Sequence, residues 1–101
     1  MYDMSKLKHI EDLQKLAPEA FAGFQHLDSA AMSANGAIPV KYKELMALAV
    51  ALTTQCPYCL EIHKQTAKKH GATDVEIAET VFIATALNAG AALTHGLHLM
   101  G

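Results

Sequence analysis

The chain contains few residues that interrupt regular structure and few that carry charge. Its 101 residues include three prolines, six glycines, two cysteines and no tryptophan, and 18% of them are charged. It contains no linker, low-complexity tract or internal repeat. With 51% hydrophobic residues, this composition excludes a disordered chain and is typical of a folded globular protein. We therefore expect residues 1–101 to form a single domain.

A basic stripe, a long apolar run and a signal peptide are also missing. The eight Lys and Arg residues are scattered, apart from the Lys68–Lys69 pair, which argues against binding to a phosphate backbone. The longest uninterrupted apolar run, residues 45–52, is far shorter than the ~20 residues that span a bilayer. Residues 1–13 mix acidic and basic side chains where a signal peptide has a hydrophobic core. We therefore expect a cytoplasmic protein with no nucleic-acid or membrane partner.

The pattern of apolar residues predicts an all-α fold, because no segment alternates with the period of a β-strand. Helical spacing predicts a single helical domain of five to six helices, the sixth being a short final turn. The five main helices cover residues 5–16, residues 18–33, Pro39 to near Gln55, Cys56 or Pro57 to the KKHGA sequence at 68–72, and residues 74–97. The glycine of KKHGA can end a helix, and the TDVE sequence at 73–76 is a capping box that begins one.

The apolar content is high for so short a chain. A chain of this length buries only about 60–65% of its unfolded surface when it folds alone. The last helix is rich in alanine and glycine between residues 84 and 92, and such small side chains let helices approach closely. We therefore expect a homo-oligomer, in which copies of the chain cover each other's apolar surfaces.

Both cysteines lie in the sequence QCPYCLEIH, residues 55–63. Pro57 favours the first position of a helix, so we expect Cys56 near the N-cap and Cys59 in the first turn. Unpaired backbone N–H groups and the helix dipole stabilise a thiolate there, and the thiolate is the nucleophilic form of cysteine. In the cytoplasm, two cysteines at this spacing are more often catalytic or metal-binding than a permanent disulfide.

His63 and Glu44 are the residues best placed to assist these thiols. His63 lies four residues after Cys59 and seven after Cys56, so all three share one helix face. If the third and fourth helices form an antiparallel hairpin that turns near Gln55, Glu44 lies ~16 Å along one helix and His63 ~12 Å along the other. Glu44 borders an apolar run and needs a partner there, which His63 can provide. The predicted site is an acid that orients a base that serves a thiol.

Redox chemistry, a metal site and inert packing all stay open for the cysteine pair on this reasoning. A closed zinc site needs four ligands, and only His63 joins the cysteines locally. His95 and His98 could approach a site from a neighbouring subunit, with packing at a surface or an interface as the alternative. Tyr58 is expected to be exposed or to line a pocket. We expect no cofactor.

The residues Glu44, Cys56, Cys59 and His63 form the pattern E-x11-C-x2-C-x3-H, and the sequence GATDVEIAETVFIATALNAGAAL follows it. On these features the chain resembles, over roughly residues 18–98, a single-copy member of the carboxymuconolactone decarboxylase family, alkylhydroperoxidase D-like branch. The resemblance implies a helical bundle assembled as a trimer or a hexamer, and a thiol-dependent peroxidase or disulfide-exchange activity that draws electrons from a thiol donor. It also implies that Cys59 attacks the peroxide and becomes a sulfenic acid, that Cys56 resolves it to a disulfide, and that Glu44 and His63 relay protons.

The chain departs from both named enzymes of this group. Pro57 and Tyr58 separate the cysteines, whereas the name-giving hydroperoxidase has a histidine in the second of those places. True carboxymuconolactone decarboxylases lack the cysteine pair, so lactone decarboxylation is the weaker alternative. The helix amides favour Cys56 as the more reactive thiol, whereas the resemblance and the spacing to His63 favour Cys59.

Overall fold

The structure is a computed structural model that describes residues 3–101, and all regular structure in this range is helical. Short 3₁₀ segments lie near the two ends, at Met4–His9 and Gly96–Leu99. Between them are α1 (Ile10–Leu16), α2 (Pro18–Ala31), α3 (Val40–Thr54), α4 (Pro57–Lys69) and α5 (Asp74–His95). The predicted all-α fold of five helices is confirmed.

The first two helices differ from their predicted bounds. Residues 4–9 form a 3₁₀ segment, so α1 begins only at Ile10; such tighter turns are frequent at the ends of α-helices. Asp3 caps this segment, because its Oδ1 accepts the N–H of Ser5 at 3.0 Å. α2 ends at Ala31 rather than at residue 33, and Nζ of Lys43 donates to the Ala31 carbonyl at 2.9 Å in place of a further turn.

The later helix boundaries follow the predicted signals. Pro57 is the first residue of α4, whereas Pro39 lies at the N-cap of α3, just outside its first turn. Gly71 has a φ of 89°, the left-handed conformation that follows the end of α4. The predicted capping box opens α5: Oγ1 of Thr73 accepts the N–H of Glu76 at 3.1 Å, and Oε1 of Glu76 accepts the N–H of Thr73 at 2.9 Å.

The core lies where α3 packs against α4 and α5. Leu48 and Ala51 of α3, Ala67 of α4 and Ala84 of α5 are buried, and Ala67 is completely so. Because alanine side chains are short, the helices approach closely around these positions. This packing holds α3 and α4 side by side as a hairpin, which is the frame of the site described below.

The rest of the chain is unusually open for its size. None of the residues of α1 and α2 is buried. The radius of gyration is 16.5 Å, against about 13 Å for a compact domain of this length. The solvent-accessible surface is 7724 Å², against about 5,500 Å² for a compact monomer of this mass. The chain by itself therefore leaves about 2,200 Å² more surface in water than a compact monomer does.

Much of this surface is apolar and lies on α5. Val75, Phe82, Ile83 and Leu87 are exposed and line a shallow groove along one face of the helix. By length and composition alone, the segment Asp74–Leu99 could cross a membrane. Polar residues divide this segment, so it contains no uninterrupted apolar run long enough to span a bilayer.

Glu76 also joins the start of α5 to the start of α3. Nζ of Lys41 lies 3.0 Å from Oε2 of Glu76. The backbone N–H of Thr73, and then the side chain of Lys41, hold the pKa of Glu76 below its usual value of 4.5. The hydrogen bond with Glu76 in turn raises the pKa of Lys41 above 10.5.

This contact predicts an acid-sensitive stability. A lowered carboxyl pKa stabilises the fold above the unfolded-state pKa, and that contribution is lost as the pH falls from 4.5 through the folded-state pKa of Glu76. Glu76→Gln keeps a side chain suited to the capping box but removes the charge. We expect its melting temperature to be lower than that of the unmodified protein at pH 7, with the difference shrinking on acidification. Glu79→Gln, at an exposed position on the same helix, is the control. An equal difference at every pH, measured by circular dichroism, would contradict this role.

Candidate functional site

The turn between α3 and α4 sets the position of both cysteines. Gln55 ends α3 in the left-handed conformation, with a φ of 56°, which is unusual for a residue with a side chain. Cys56 follows in an extended conformation as the N-cap of α4, and its N–H donates to the Ala51 carbonyl at 3.0 Å. Cys59 therefore lies in the first turn of α4, as the sequence predicts.

The two cysteines are joined as a disulfide, with their Cα atoms 5.4 Å apart. The N–H of Cys59 donates to Sγ of Cys56 at 3.2 Å, so Sγ of Cys56 occupies the place that a serine or aspartate oxygen takes in an ordinary N-cap. Both residues are half-buried. The pair thus lies at the end of a helix where backbone N–H groups face the sulfur atoms.

His63 and Glu44 meet across the hairpin. Nδ1 of His63 lies 2.6 Å from Oε2 of Glu44, within hydrogen-bonding distance. Glu44 is buried, with 6% of its surface exposed, whereas His63 is half-buried. Because Glu44 occupies Nδ1, the other ring nitrogen, Nε2, is the one left to exchange a proton with a reacting group. The predicted Glu44–His63 contact is present, and the catalytic roles of the two residues stay predictions.

A cleft of about 420 Å³ runs past this group of residues. Its size is in the range of sites that hold small organic ligands. The residues that line it come from α2 and the residues that follow it, from α3 and from α4: Asp28, Ala31, Met32, Ile38, Lys43, Met46, Ala47, Val50, Ala51, Thr54, Cys59 and His63. Cys59 and His63 line the cleft whereas Cys56 does not, which distinguishes the two cysteines by their position relative to it.

Other residues singled out in the sequence lie away from this cleft. Tyr58 is half-buried under the N-terminal segment, where its Oη lies 3.4 Å from the backbone N of Asp3. His95 and His98 contact each other edge to face, with ring centroids 5.4 Å apart, near the C-terminus. Within residues 3–101, no three or more side chains of histidine, cysteine, aspartate or glutamate gather where they could hold a metal ion. A zinc site at the cysteines would need further ligands from another chain.

Comparison with known proteins identifies the family. Residues 18–100 match the carboxymuconolactone decarboxylase family, a range that contains all four predicted site residues. The chain belongs to the carboxymuconolactone decarboxylase family. The fold is similar to the apo crystal structure of a carboxymuconolactone decarboxylase family protein from Legionella pneumophila, with a TM-score of 0.77 and 36% identity, over 90% of this chain and 80% of that chain.

Two relatives by sequence extend this comparison. A Haemophilus influenzae protein described as uncharacterized is 41% identical over 93 residues, which are 92% of this chain and 81% of that protein. A Paracoccus denitrificans protein, called uncharacterized protein 4 in cox locus, is 45% identical over 62 residues. That match covers 61% of this chain and 56% of the Paracoccus protein. These relatives support membership of the carboxymuconolactone decarboxylase family and carry no information on activity.

Lys43 and the apolar residues around it belong to no sequence motif that marks them as part of the site. The positions 43, 47, 50 and 54 follow helical spacing on α3, which is the only signal that they share a face. That spacing does not reveal which helix lies opposite. The end of α2 covers this face in the structure and so closes the cleft on one side.

Proposed function

We propose that the protein is a thiol-dependent oxidoreductase of the alkylhydroperoxidase D-like branch, which reduces an organic hydroperoxide through Cys59 and Cys56. One observation supports this above the others: Cys59 and His63 line the same cleft, and the buried carboxylate of Glu44 holds Nδ1 of that histidine. A thiol, a base and an acid that orients the base form the arrangement that activates nucleophiles in enzymes.

The proposed reaction takes place in three steps. The Cys59 thiolate attacks one oxygen of the hydroperoxide, the O–O bond breaks, and the alcohol leaves with a proton supplied by His63, while the sulfur becomes a sulfenic acid. The Cys56 thiol then attacks that sulfur, a disulfide forms, and the hydroxyl leaves as water. Finally, an external dithiol reduces the disulfide and becomes oxidised itself. The sum is one hydroperoxide and one dithiol converted to an alcohol, water and a disulfide.

The assignment of Cys59 as the attacking thiol has support from the position of the two cysteines relative to the cleft. Cys59 lines the cleft, and His63 lies one helical turn further along α4. Cys56 is outside the cleft and lies against the backbone of Cys59, a suitable place for the resolving thiol. Backbone amides at the start of α4 can stabilise either thiolate, so the helix dipole does not decide between them.

Hydroperoxide consumption tests this function. The reduced protein is mixed with cumene hydroperoxide and dithiothreitol, and the loss of hydroperoxide is followed against dithiothreitol alone. We expect consumption in proportion to protein concentration over many turnovers. A rate no higher than that of the reductant, from protein whose two cysteines are demonstrably reduced, would contradict the proposed function.

Glu44→Gln is expected to slow the reaction of Cys59 by about ten- to a hundredfold near neutral pH, because the neutral amide no longer orients His63 through a charge-assisted hydrogen bond. The rate of thiol alkylation as a function of pH measures this effect without turnover. Glu61→Gln is the matched control. Glu61 is exposed on α4, and this substitution removes the same charge from the same hairpin. An unchanged alkylation profile in a folded Glu44→Gln protein would exclude Glu44 from the mechanism.

We also propose that the working unit is a homo-oligomer, a trimer or a hexamer, in which a second copy covers the apolar face of α5. The support is the excess surface of about 2,200 Å², which exceeds the roughly 800 Å² that each partner buries in an ordinary protein interface. A cytoplasmic location, a thiol electron donor, and the lack of nucleic-acid and membrane partners stay predictions. A reducing compartment would return the disulfide to the dithiol form.

A further inference from the structure

The ammonium group of Lys43 lies in the wall of the reactive cleft without a carboxylate partner. Its Nζ donates to the carbonyl oxygens of Ala31 at 2.9 Å and Ser33 at 2.7 Å. An ammonium group has three N–H donors, so one remains after these two bonds. Asp28 also lines the cleft, but no carboxylate among residues 3–101 forms an ion pair with Lys43. The ammonium group of this half-buried residue is thus bonded to neutral carbonyl oxygens rather than to a carboxylate.

The loop between α2 and α3 leaves room for this ammonium group. A Cβ atom at Gly36 would lie 3.0 Å from Nζ of Lys43 and 3.6 Å from its Cε. The first distance is tighter than most such contacts, so a larger residue at position 36 would push the flexible end of Lys43 aside by a few tenths of an ångström. The glycine thus leaves room for the ammonium group at this place.

The surroundings of the charge are mainly apolar. Lys43 is the first of a row of α3 residues that face the cleft, followed by Ala47, Val50 and Thr54. This row is about 16 Å long, and Thr54, its last residue, lies next to the turn that carries the cysteines. A ligand that lies along α3 would therefore contact apolar side chains between the reactive sulfur and a positive charge.

We propose that Lys43 binds a carboxylate of the substrate, and that the substrate is a hydroperoxide with an apolar body and one carboxylate group. This inference rests on the proposed function for the reaction, but the anion site itself does not depend on turnover. A single remaining N–H donor suits a carboxylate, whereas phosphate groups are usually held by several donors. Apolar side chains of the cleft beside the ammonium group lower the local polarity, which strengthens an ammonium–carboxylate contact.

Lys43 also has a structural role, because it bonds the last carbonyl groups of α2. If that were its only role, its loss would loosen the end of α2 and weaken neutral and anionic ligands alike. If it binds a carboxylate, its loss should weaken anionic ligands selectively. The ratio of the two affinities separates these roles, whereas either affinity alone does not.

The binding test uses the oxidised protein with octanoate and methyl octanoate, which match in the apolar body and differ in charge. Calorimetric titration of the unmodified protein should give about tenfold or more tighter binding of octanoate. Lys43→Met should remove this preference, and Lys43→Arg should keep most of it. Gly36→Ala retains the charge but shifts it by a few tenths of an ångström, so it should reduce the preference in part even if Lys43→Met fails to fold. Equal binding of the acid and the ester to the unmodified protein would overturn the proposal, as would a preference that persists in a folded Lys43→Met protein.

A turnover test with a fatty-acid hydroperoxide and its methyl ester separates this inference from the proposed function. If kcat/KM is about tenfold higher for the acid than for the ester, and Lys43→Met abolishes this difference, both the peroxidase function and the role of Lys43 are supported. Equal kcat/KM values for acid and ester overturn the role of Lys43 and leave the peroxidase function standing. Octanoate binding that depends on Lys43, without turnover of any hydroperoxide, supports the anion site and contradicts the peroxidase function.

Discussion

Cys59→Ser is expected to lower the rate of oxidation by hydroperoxide by about a thousandfold or more, because it removes the nucleophile that lines the cleft. Cys56→Ser is expected to behave differently. Its remaining thiol should react with hydroperoxide at close to the normal rate, but the product should stop at the sulfenic acid because no resolving thiol is present. Stopped-flow measurement of the first turnover, with a sulfenic-acid trapping reagent, distinguishes the two variants.

The pair of variants is its own control, because each removes one sulfur atom from the same turn of α4. Both should remain folded, since neither cysteine belongs to the buried core. If Cys56→Ser loses the fast first step and Cys59→Ser retains it, the roles are reversed, and the helix N-cap rather than the cleft determines which thiol reacts. If both variants react at the normal rate, the site does not accelerate the attack of either thiol on peroxide, and the proposed roles of both cysteines are wrong.

Phe82→Glu is expected to dissociate the proposed oligomer. Phe82 is 70% exposed in the single chain, so a charged residue there should do little harm to an isolated molecule. If a second copy covers this face, the variant loses a buried aromatic contact and places a carboxylate in an apolar interface, at a cost of about 2–4 kcal/mol or more per contact. Light scattering and sedimentation should show smaller particles than those of the unmodified protein.

Gln14→Glu is the control for this experiment, because it adds the same charge at an exposed polar position of α1. It should leave the particle mass unchanged. An unmodified protein that already behaves as a 10.8 kDa monomer at micromolar concentration would contradict the proposed assembly. If the apolar face instead binds lipid, the unmodified protein should remain monomeric and sediment with vesicles, and Phe82→Glu should abolish that sedimentation.

Local signals in the sequence predict much of the fold. Pro57 places the start of α4 correctly because its fixed φ and missing N–H suit a first helical position. The TDVE sequence forms the capping box it predicts, because a threonine and a glutamate three residues apart can satisfy each other's backbone N–H groups. Counting residues along two antiparallel helices was enough to predict the contact between Glu44 and His63.

Features that depend on nonlocal packing were not predictable in this way. The turn near Gln55 was predicted, but its left-handed conformation was not, because glycine or asparagine usually adopts that conformation. Lys43 reads as an ordinary helix lysine until the end of α2 is placed above it. The helical spacing of apolar residues in α1 predicts a helix correctly. It does not show that these residues remain unburied within the chain.

The most direct test of the redox function is the fate of the two thiols in the unmodified protein. The protein is fully reduced, exposed briefly to one equivalent of hydroperoxide, alkylated, and examined by intact-mass spectrometry. We predict that both thiols are lost together, that the chain carries an internal Cys56–Cys59 disulfide and no alkyl groups, and that no disulfide joins two chains. Recovery of chains with both cysteines alkylated, under conditions where the alkylating reagent reaches both, would contradict the account.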